Sequence, residues 1–201
     1  MTLAHHGVLF LDEMAEFGRA TLDVLRQPLE DRAVVITRVG YAVRMPSRLS
    51  LIGAMNPCVC GNLGRTDRPC ACTPAMIAHY RARISGPLLD RFEIQVEVPP
   101  VSLPDLASES PGESSSSVAE RVQTARRRAL EGPEPDITIA AKGILHRAVR
   151  SLGLSARAHD AIVRVARTIT LLDGAPAIEV AQIAEAVQYR TLDRQDTMQQ
   201  T

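Results

Sequence analysis

The sequence predicts an α/β fold, part of a parallel sheet carrying a β-hairpin insertion, followed by an all-helical bundle. Three observations carry this. Apolar runs at 8–11 and 49–54 read as buried strands that end in polar residues, and the β-branched stretches 33–38 and 41–44 flank a Val39-Gly40 turn. Between 101 and 117 the composition shifts to Ser, Pro, Glu and Gly, as in a linker. From Val118 onward apolar residues recur at helical spacing. The expected organisation is therefore an α/β part over 1–100, a linker over 101–117, a helical part over 118–193 and a polar tail over 194–201.

Each element has a local reason. Val8-Leu9-Phe10-Leu11 is uniformly apolar, as a strand buried on both faces requires, and runs into Asp12-Glu13. Phe17, Leu22, Leu25 and Leu29 predict one helix that Pro28 terminates. The hairpin presents Arg38 and Arg44. The strand over 49–54 ends at Met55-Asn56-Pro57, where Pro57 turns the chain out of the sheet. A loop bearing Cys and Gly covers 57–73, and Thr73-Pro74 opens a helix through about Arg83, with Thr as N-cap and Pro at the first helical position. Strict alternation from Phe92 to Val98 predicts a half-buried strand, closed by Pro99-Pro100. Beyond the linker, helices are expected over 118–131, over 139–152 with Gly153 as the stop, from Ser155 through a stripe of Ala158, Ala161, Ile162, Val165, Ile169 and Leu172, and over 178–190.

The 23 basic and 23 acidic residues cancel, so no global field favours nucleic acid or an anionic membrane, and any such contact must be local. No apolar run approaches the ~20 residues that span a bilayer, and residues 1–6 lack the charged-then-apolar pattern of a leader. A cytoplasmic protein with no membrane partner is expected.

An apolar strand ending in two adjacent carboxylates has the form of a Walker B element. There Asp12 would hold a nucleotide-bound Mg²⁺ and Glu13 would polarise the attacking water, the plain alternative being solvated carboxylates at a strand end. Asn56, ending a second buried strand, is the kind of group that orients a water against a γ-phosphate. Arg91 precedes a strand and Arg157 opens a helix, and the planar guanidinium fork suits phosphate oxygens. The phosphate-cradling loop Gly-x-x-x-x-Gly-Lys-[Ser/Thr] does not occur: the only lysine is Lys142, with Ala141 before it and Gly143 after. With Met1 seven residues ahead of the first strand, the chain is expected to begin inside a domain.

Cys58-Val59-Cys60 and Cys70-Ala71-Cys72 form two Cys-x-Cys pairs nine residues apart. Four thiolates could close around a structural Zn²⁺; reduced thiols without a role and redox chemistry are the other readings, disulfides being rare in a reducing compartment. His5-His6 reads as a packed or solvated turn more than a metal site, and Arg126-Arg127-Arg128 as a solvated helix face more than a phosphate contact.

Taken in order, Val8 to Glu13, Asn56, Ser85-Gly86-Pro87-Leu88-Leu89-Asp90-Arg91-Phe92 and Leu154-Ser155-Ala156-Arg157 resemble the magnesium-chelatase-like AAA+ ATPases of the YifB/ComM family. Ala4-His5-His6-Gly7, Ala54-Met55-Asn56-Pro57 and Ala184-Glu185-Ala186-Val187-Gln188-Tyr189-Arg190 extend the likeness over nearly the whole chain. The resemblance implies a partial AAA+ core and a helical lid that use ATP and Mg²⁺ in a hexameric, homo-oligomeric ring acting on DNA by remodelling or branch migration. In it Asp12 would serve Mg²⁺, Glu13 would be the catalytic carboxylate and Asn56 the γ-phosphate sensor. Arg91 would be the arginine finger reaching a neighbouring subunit and Arg157 the second sensor, while the hairpin would face the pore, making Arg38 and Arg44 candidates for DNA contact. The chain departs from the family at the phosphate loop, so productive ATP binding by this chain alone is not expected. From a different class comes a nonenzymatic module that joins rings of a full-length relative and donates Arg91; a magnesium chelatase subunit ranks below both.

Overall fold

The computed structural model describes residues 1–101 and 112–190. The predicted tail and most of the predicted linker lie outside the described residues. The chain divides into two compact units, Met1–Phe92 and a second beginning at Glu93, so the segment after Phe92 belongs with the helical part.

In the first unit β1 (Val8–Leu11) leads through two short helices, α1 (Arg19–Asp23) and α2 (Arg26–Asp31), to the antiparallel hairpin β2 (Ala33–Arg38) and β3 (Tyr41–Pro46). The chain then returns as β4 (Ser50–Gly53), which pairs in parallel with β1, Leu9 opposite Leu51 and Leu11 opposite Gly53. Helices α3 (Pro74–Arg81) and α4 (Gly86–Leu89) complete the unit. Leu11, from one face of the sheet, packs on a core of Met14, Leu22, Ile84 and Leu88. Val8, Phe10 and Ile52, on the other face, are exposed, contrary to the expectation of burial on both sides. No second layer covers that face among the described residues of this unit.

The single helix expected from Ala15 to Leu29 is in fact two. Pro28 has no N–H, a defect harmless only in a first helical turn, and α2 starts at Arg26 so that Pro28 falls there. Pro28 therefore belongs to the beginning of a helix, not the end of one. Helix α3 follows its predicted caps: Thr73 Oγ1 accepts the N–H of Met76, with Pro74 first in the helix.

The second unit contains α5 (Ser115–Glu131), α6 (Ile139–Leu152), α7 (Ala156–Asp173) and α8 (Val180–Gln188), with a short parallel pair, β5 (Asp136–Ile137) and β6 (Ala177–Ile178), that periodicity did not predict. Ser114, Thr138 and Ser155 cap α5, α6 and α7 by accepting the N–H three residues on. Serines assigned to the linker thus start α5 three residues before Val118. Gly153 and Gly174 end α6 and α7 at φ +61° and +70°, a left-handed turn that side chains disfavour. Leu145, Ile162, Ala166, Ile169, Ile178 and Ile183 form the core.

The half-buried strand expected over 92–98 does not form. Among the described residues its one ladder contact is Gln95 with Arg190, Gln95 N–H donating to the Tyr189 carbonyl at 2.8 Å. The alternation is inverted as well: Gln95 is 6% exposed, whereas Ile94 is 54% and Val98 85% exposed. With the end of α8 as partner, the polar position faces inward.

Candidate functional site

The site grows from the carboxyl ends of β1 and β4. The Ala54 N–H donates to the Leu11 carbonyl at 2.9 Å and the Met14 N–H to the Ala54 carbonyl at 2.8 Å, so the strand ends remain laced together after the sheet stops. Between those bonds the chain passes Asp12 and Glu13, both exposed, while Met14 and Ala15 beyond them are buried as anchors. The turn is tight enough that Glu13 takes the left-handed region, φ 47° and ψ 43°, and its N–H donates to Asp12 Oδ1 at 2.9 Å. A glutamate held there costs on the order of 1–2 kcal/mol. Such outliers persist where the surrounding structure over-determines them, often at functional sites.

Asn56 leaves the same end of the sheet, two residues past Ala54, and is exposed. Its backbone is bonded to the buried Tyr80 hydroxyl; burial and then the Glu16 charge raise the phenol pKa, and the bond to Asn56 opposes them. The parallel pairing of β1 and β4 thus brings Asp12, Glu13 and Asn56 to one edge, the position where open α/β sheets bind ligands. Exposed, hard carboxylate oxygens at a strand end suit Mg²⁺ held jointly with phosphate.

Arg91, just beyond α4, is committed within its own unit. Its Nε donates to the Arg26 carbonyl at 3.0 Å, its other nitrogens to the Pro87 carbonyl and, at 2.5 Å, to the Glu30 carboxylate. The Arg91 side chain is 12% exposed and that of Glu30 49%. Arg157 is the second residue of α7, exposed and part of the helical unit. Arg38 lies opposite Tyr41 and Arg44 opposite Val35, so the alternation of the hairpin puts the two arginines on opposite faces. Lys142 lies within α6.

The four cysteines converge. Cys58 Sγ lies 3.5 Å from Cys60 Sγ and 3.7 Å from Cys70 Sγ, the Cys60–Cys70 separation is 3.6 Å, and all four sulfurs fall within 4.8 Å of one another. Gly61, at φ +75°, makes the turn possible, its N–H donating to the Cys58 carbonyl at 3.0 Å. Backbone bonds from Asn62 and Ala71 lower the Cys60 thiol to about 6. Burial and the Cys60 thiol oppose ionisation of Cys58, but the backbone bond from Leu63 and the thiols of Cys70 and Cys72 leave it lowered. A backbone bond from Cys72 favours the Cys70 thiolate, but burial and the thiols of Cys60 and Cys58 push Cys70 up to about 12. Among the described residues this is the one group of three or more Cys, His, Asp or Glu side chains gathered closely enough for a metal ion.

The remaining candidates have structural roles. His5 Nδ1 accepts the Arg48 N–H at 3.1 Å and its ring lies 3.9 Å from that of His6, a packed turn. Within the 126–128 run, Arg128 donates to the Leu171 carbonyl at 2.8 Å, satisfying the end of α7. Sequence reasoning missed this contact, the Arg91–Glu30 pair and the Tyr80–Asn56 bond, all of which join residues far apart in the chain.

Among the described residues no helix is long and apolar enough to cross a membrane. Residues 1–106 match the family "Magnesium chelatase, subunit ChlI" and residues 133–190 the family "Magnesium chelatase, subunit ChlI C-terminal". Over 96% of its length the chain is 38% identical to the uncharacterized protein YifB of Escherichia coli (strain K12), 39% to YifB of Salmonella typhimurium and 38% to the competence protein ComM of Haemophilus influenzae. It spans 41% of the length of each of these relatives. The chain therefore belongs to the magnesium chelatase family, as a YifB- and ComM-like member with a partial AAA+-like core and a helical C-terminal part.

Proposed function

We propose that this chain supplies the hydrolysis-and-sensing side of an ATP site in a cytoplasmic, ring-forming AAA+ ATPase that remodels DNA. The supporting observation is the laced end of β1 and β4, where Asp12, Glu13 and Asn56 leave the sheet together. In this reading the Asp12 carboxylate is the Mg²⁺ ligand, Glu13 takes a proton from the attacking water and the Asn56 carboxamide orients that water. Bound Mg²⁺ supplies charge neutralisation at the β- and γ-phosphates. Arg91 exchanges Glu30 and its carbonyl partners for the γ-phosphate of a neighbouring subunit, and Arg157 reaches the nucleotide from the helical unit. An arginine finger of this kind is worth ~10³ to 10⁵ in rate.

The DNA reading rests on likeness to a competence protein and on the exposed hairpin arginines, Arg38 and Arg44, whose opposite faces suit a strand threading past more than a flat duplex. The cysteine cluster is read as a structural Zn²⁺ site. Because no Gly-x-x-x-x-Gly-Lys-[Ser/Thr] loop occurs in the 201 residues, a second reading stands beside the first: a nonenzymatic module that enters rings of a full-length relative and contributes Arg91.

Both readings predict no ATP turnover above background by the purified chain alone. Mixing it with full-length YifB should change that protein's ATPase rate, and Arg91→Ala should abolish the change. Saturable turnover by the chain alone would refute the division of the site, and an unaltered YifB rate would refute ring entry. DNA-stimulated turnover in the mixture, lost in an Arg38→Ala/Arg44→Ala double variant, favours the motor; turnover indifferent to DNA favours the module.

A further inference from the structure

We infer that Cys58, Cys60, Cys70 and Cys72 bind one Zn²⁺ as a tetrathiolate, and that this metal is the positioning element for Asn56. The first half follows from geometry. Zn–S bonds of ~2.3 Å at tetrahedral angles place sulfurs about 3.8 Å apart, against the observed 3.5, 3.7 and 3.6 Å. Two or more metal ions would need wider sulfur spacing than a set lying wholly within 4.8 Å, so the site is mononuclear. A disulfide needs ~2.05 Å and is not formed. Backbone bonds from Asn62, Leu63, Ala71 and Cys72 also reach the cysteines, so the sulfurs are held by the loop as well as by one another. With all four positions filled by protein, the metal is structural and has no open site for catalysis.

The second half follows from adjacency. Asn56 is joined to Cys58 through Pro57 alone, and the Gly61 turn rests against it, a β-carbon built on Gly61 lying 3.9 Å from Asn56 Oδ1. The loop from 58 to 72 contains no helix or strand; besides local turns and the Arg65–Asp67 pair, the sulfur cluster is what joins its two ends. Four thiolates drawn to one cation therefore fix the turn that flanks Asn56, with Tyr80 holding the other side. Without the cation only weak contacts between the sulfurs brace that turn. The consequence for catalysis rests on Asn56 sensing the γ-phosphate; metal binding and the position of Asn56 do not.

The experiment uses the whole chain, purified without chelator and analysed for metals. About one zinc per chain is expected, falling at least tenfold in a Cys60→Ser/Cys70→Ser variant whose far-UV circular dichroism stays unchanged. Cobalt(II) added to stripped protein should give thiolate-to-cobalt charge-transfer bands and intense tetrahedral visible bands. Absence of both zinc and the cobalt spectrum overturns the site, and one equivalent of iron overturns the choice of metal. Asn56 and Asn62 are the only asparagines, so ¹⁵N-asparagine labelling yields two side-chain amide pairs, assigned with Asn62→Ser. The Asn56 pair should be a single sharp set with zinc and shift or broaden when zinc is stripped, returning on re-addition. An Asn56 signal indifferent to zinc overturns the positioning role even where zinc binds, and neither outcome depends on ATPase activity.

Discussion

Arg91 is asked to do two things, and Glu30 separates them. In the first unit its guanidinium ties α2 to α4 through two carbonyls and one carboxylate. Unit charges ~4 Å apart attract by about 4 kcal/mol at an effective dielectric of 20, but the Glu30 side chain is 49% exposed, and exposed pairs retain only ~0.2–1 kcal/mol. A coupling of about 1 kcal/mol is the expectation, with roughly another 1–2 kcal/mol from the two bonds to carbonyls. Glu30→Gln should therefore cost about 1 kcal/mol, Arg91→Ala about 2–3 kcal/mol, and the double variant little more than Arg91→Ala. Because the two units need not unfold together, the assay is amide hydrogen exchange over α2, which reads local opening. Coupling under about 0.3 kcal/mol would refute the latch. The same variants test the finger: Glu30→Gln frees Arg91 and should preserve or raise the ATPase effect in mixed rings, whereas Arg91→Ala abolishes it. If Glu30→Gln abolishes the effect as completely, Arg91 acts through the fold of its own unit and not across a subunit boundary.

Two further outcomes follow from geometry elsewhere. In α6, Gly143 has open space around a built β-carbon, the nearest atom being Arg147 Nη1 at 4.0 Å, so Gly143→Ala should stabilise by about 0.5–1 kcal/mol; Gly153, equally open but at φ +61°, should lose about 1–2 kcal/mol on replacement by Ala. Thermal unfolding should move in opposite directions for the pair, and a shared direction refutes the conformational account. In the cysteine loop, the Arg65 hydrogen bonds hold the Asp67 carboxyl at about 2. A depressed folded pKa contributes stability above the unfolded value near ~3.9 and loses it as pH falls toward 2. Carbon-13 titration of Asp67 should show the low midpoint, returning toward the ordinary range in Arg65→Gln; a midpoint already near 4 in the parent chain contradicts the pairing.

The parts legible in the sequence are those whose cause is local. Thr73-Pro74, Ser155 and Gly153 act on the backbone within four residues of themselves, and each caps or stops a helix at the position its type demands. The hairpin was equally readable, since β-branched runs around Val39-Gly40 need only each other. The Cys-x-Cys pairs were legible as a set, but not the backbone bonds that favour their thiolates. Pro28 was misread for a local reason too: the same missing N–H that stops a helix is tolerated in the first turn of the next one.

What failed depended on partners. Val8-Leu9-Phe10-Leu11 has the composition of a strand covered on both faces, and 92–98 has the alternation of a sheet strand, yet within their own units Val8, Phe10, Ile94, Val96 and Val98 are exposed. Both errors have one physical form. A parallel strand takes its burial from neighbouring strands and from crossover helices on each face, not from its own residues. β1 has β4 as its neighbour and one covered face; the 92–98 segment has a single-residue contact with Arg190 and turns Gln95 inward instead. Val8 and Phe10 on β1 and Ile94, Val96 and Val98 on the 92–98 segment are thus apolar positions whose pattern calls for partners that the described residues do not supply. The same reasoning accounts for the candidate site. Its carboxylates, Asp12 and Glu13, are held between the backbone bonds that tie the ends of β1 and β4 together, so they need no further strand.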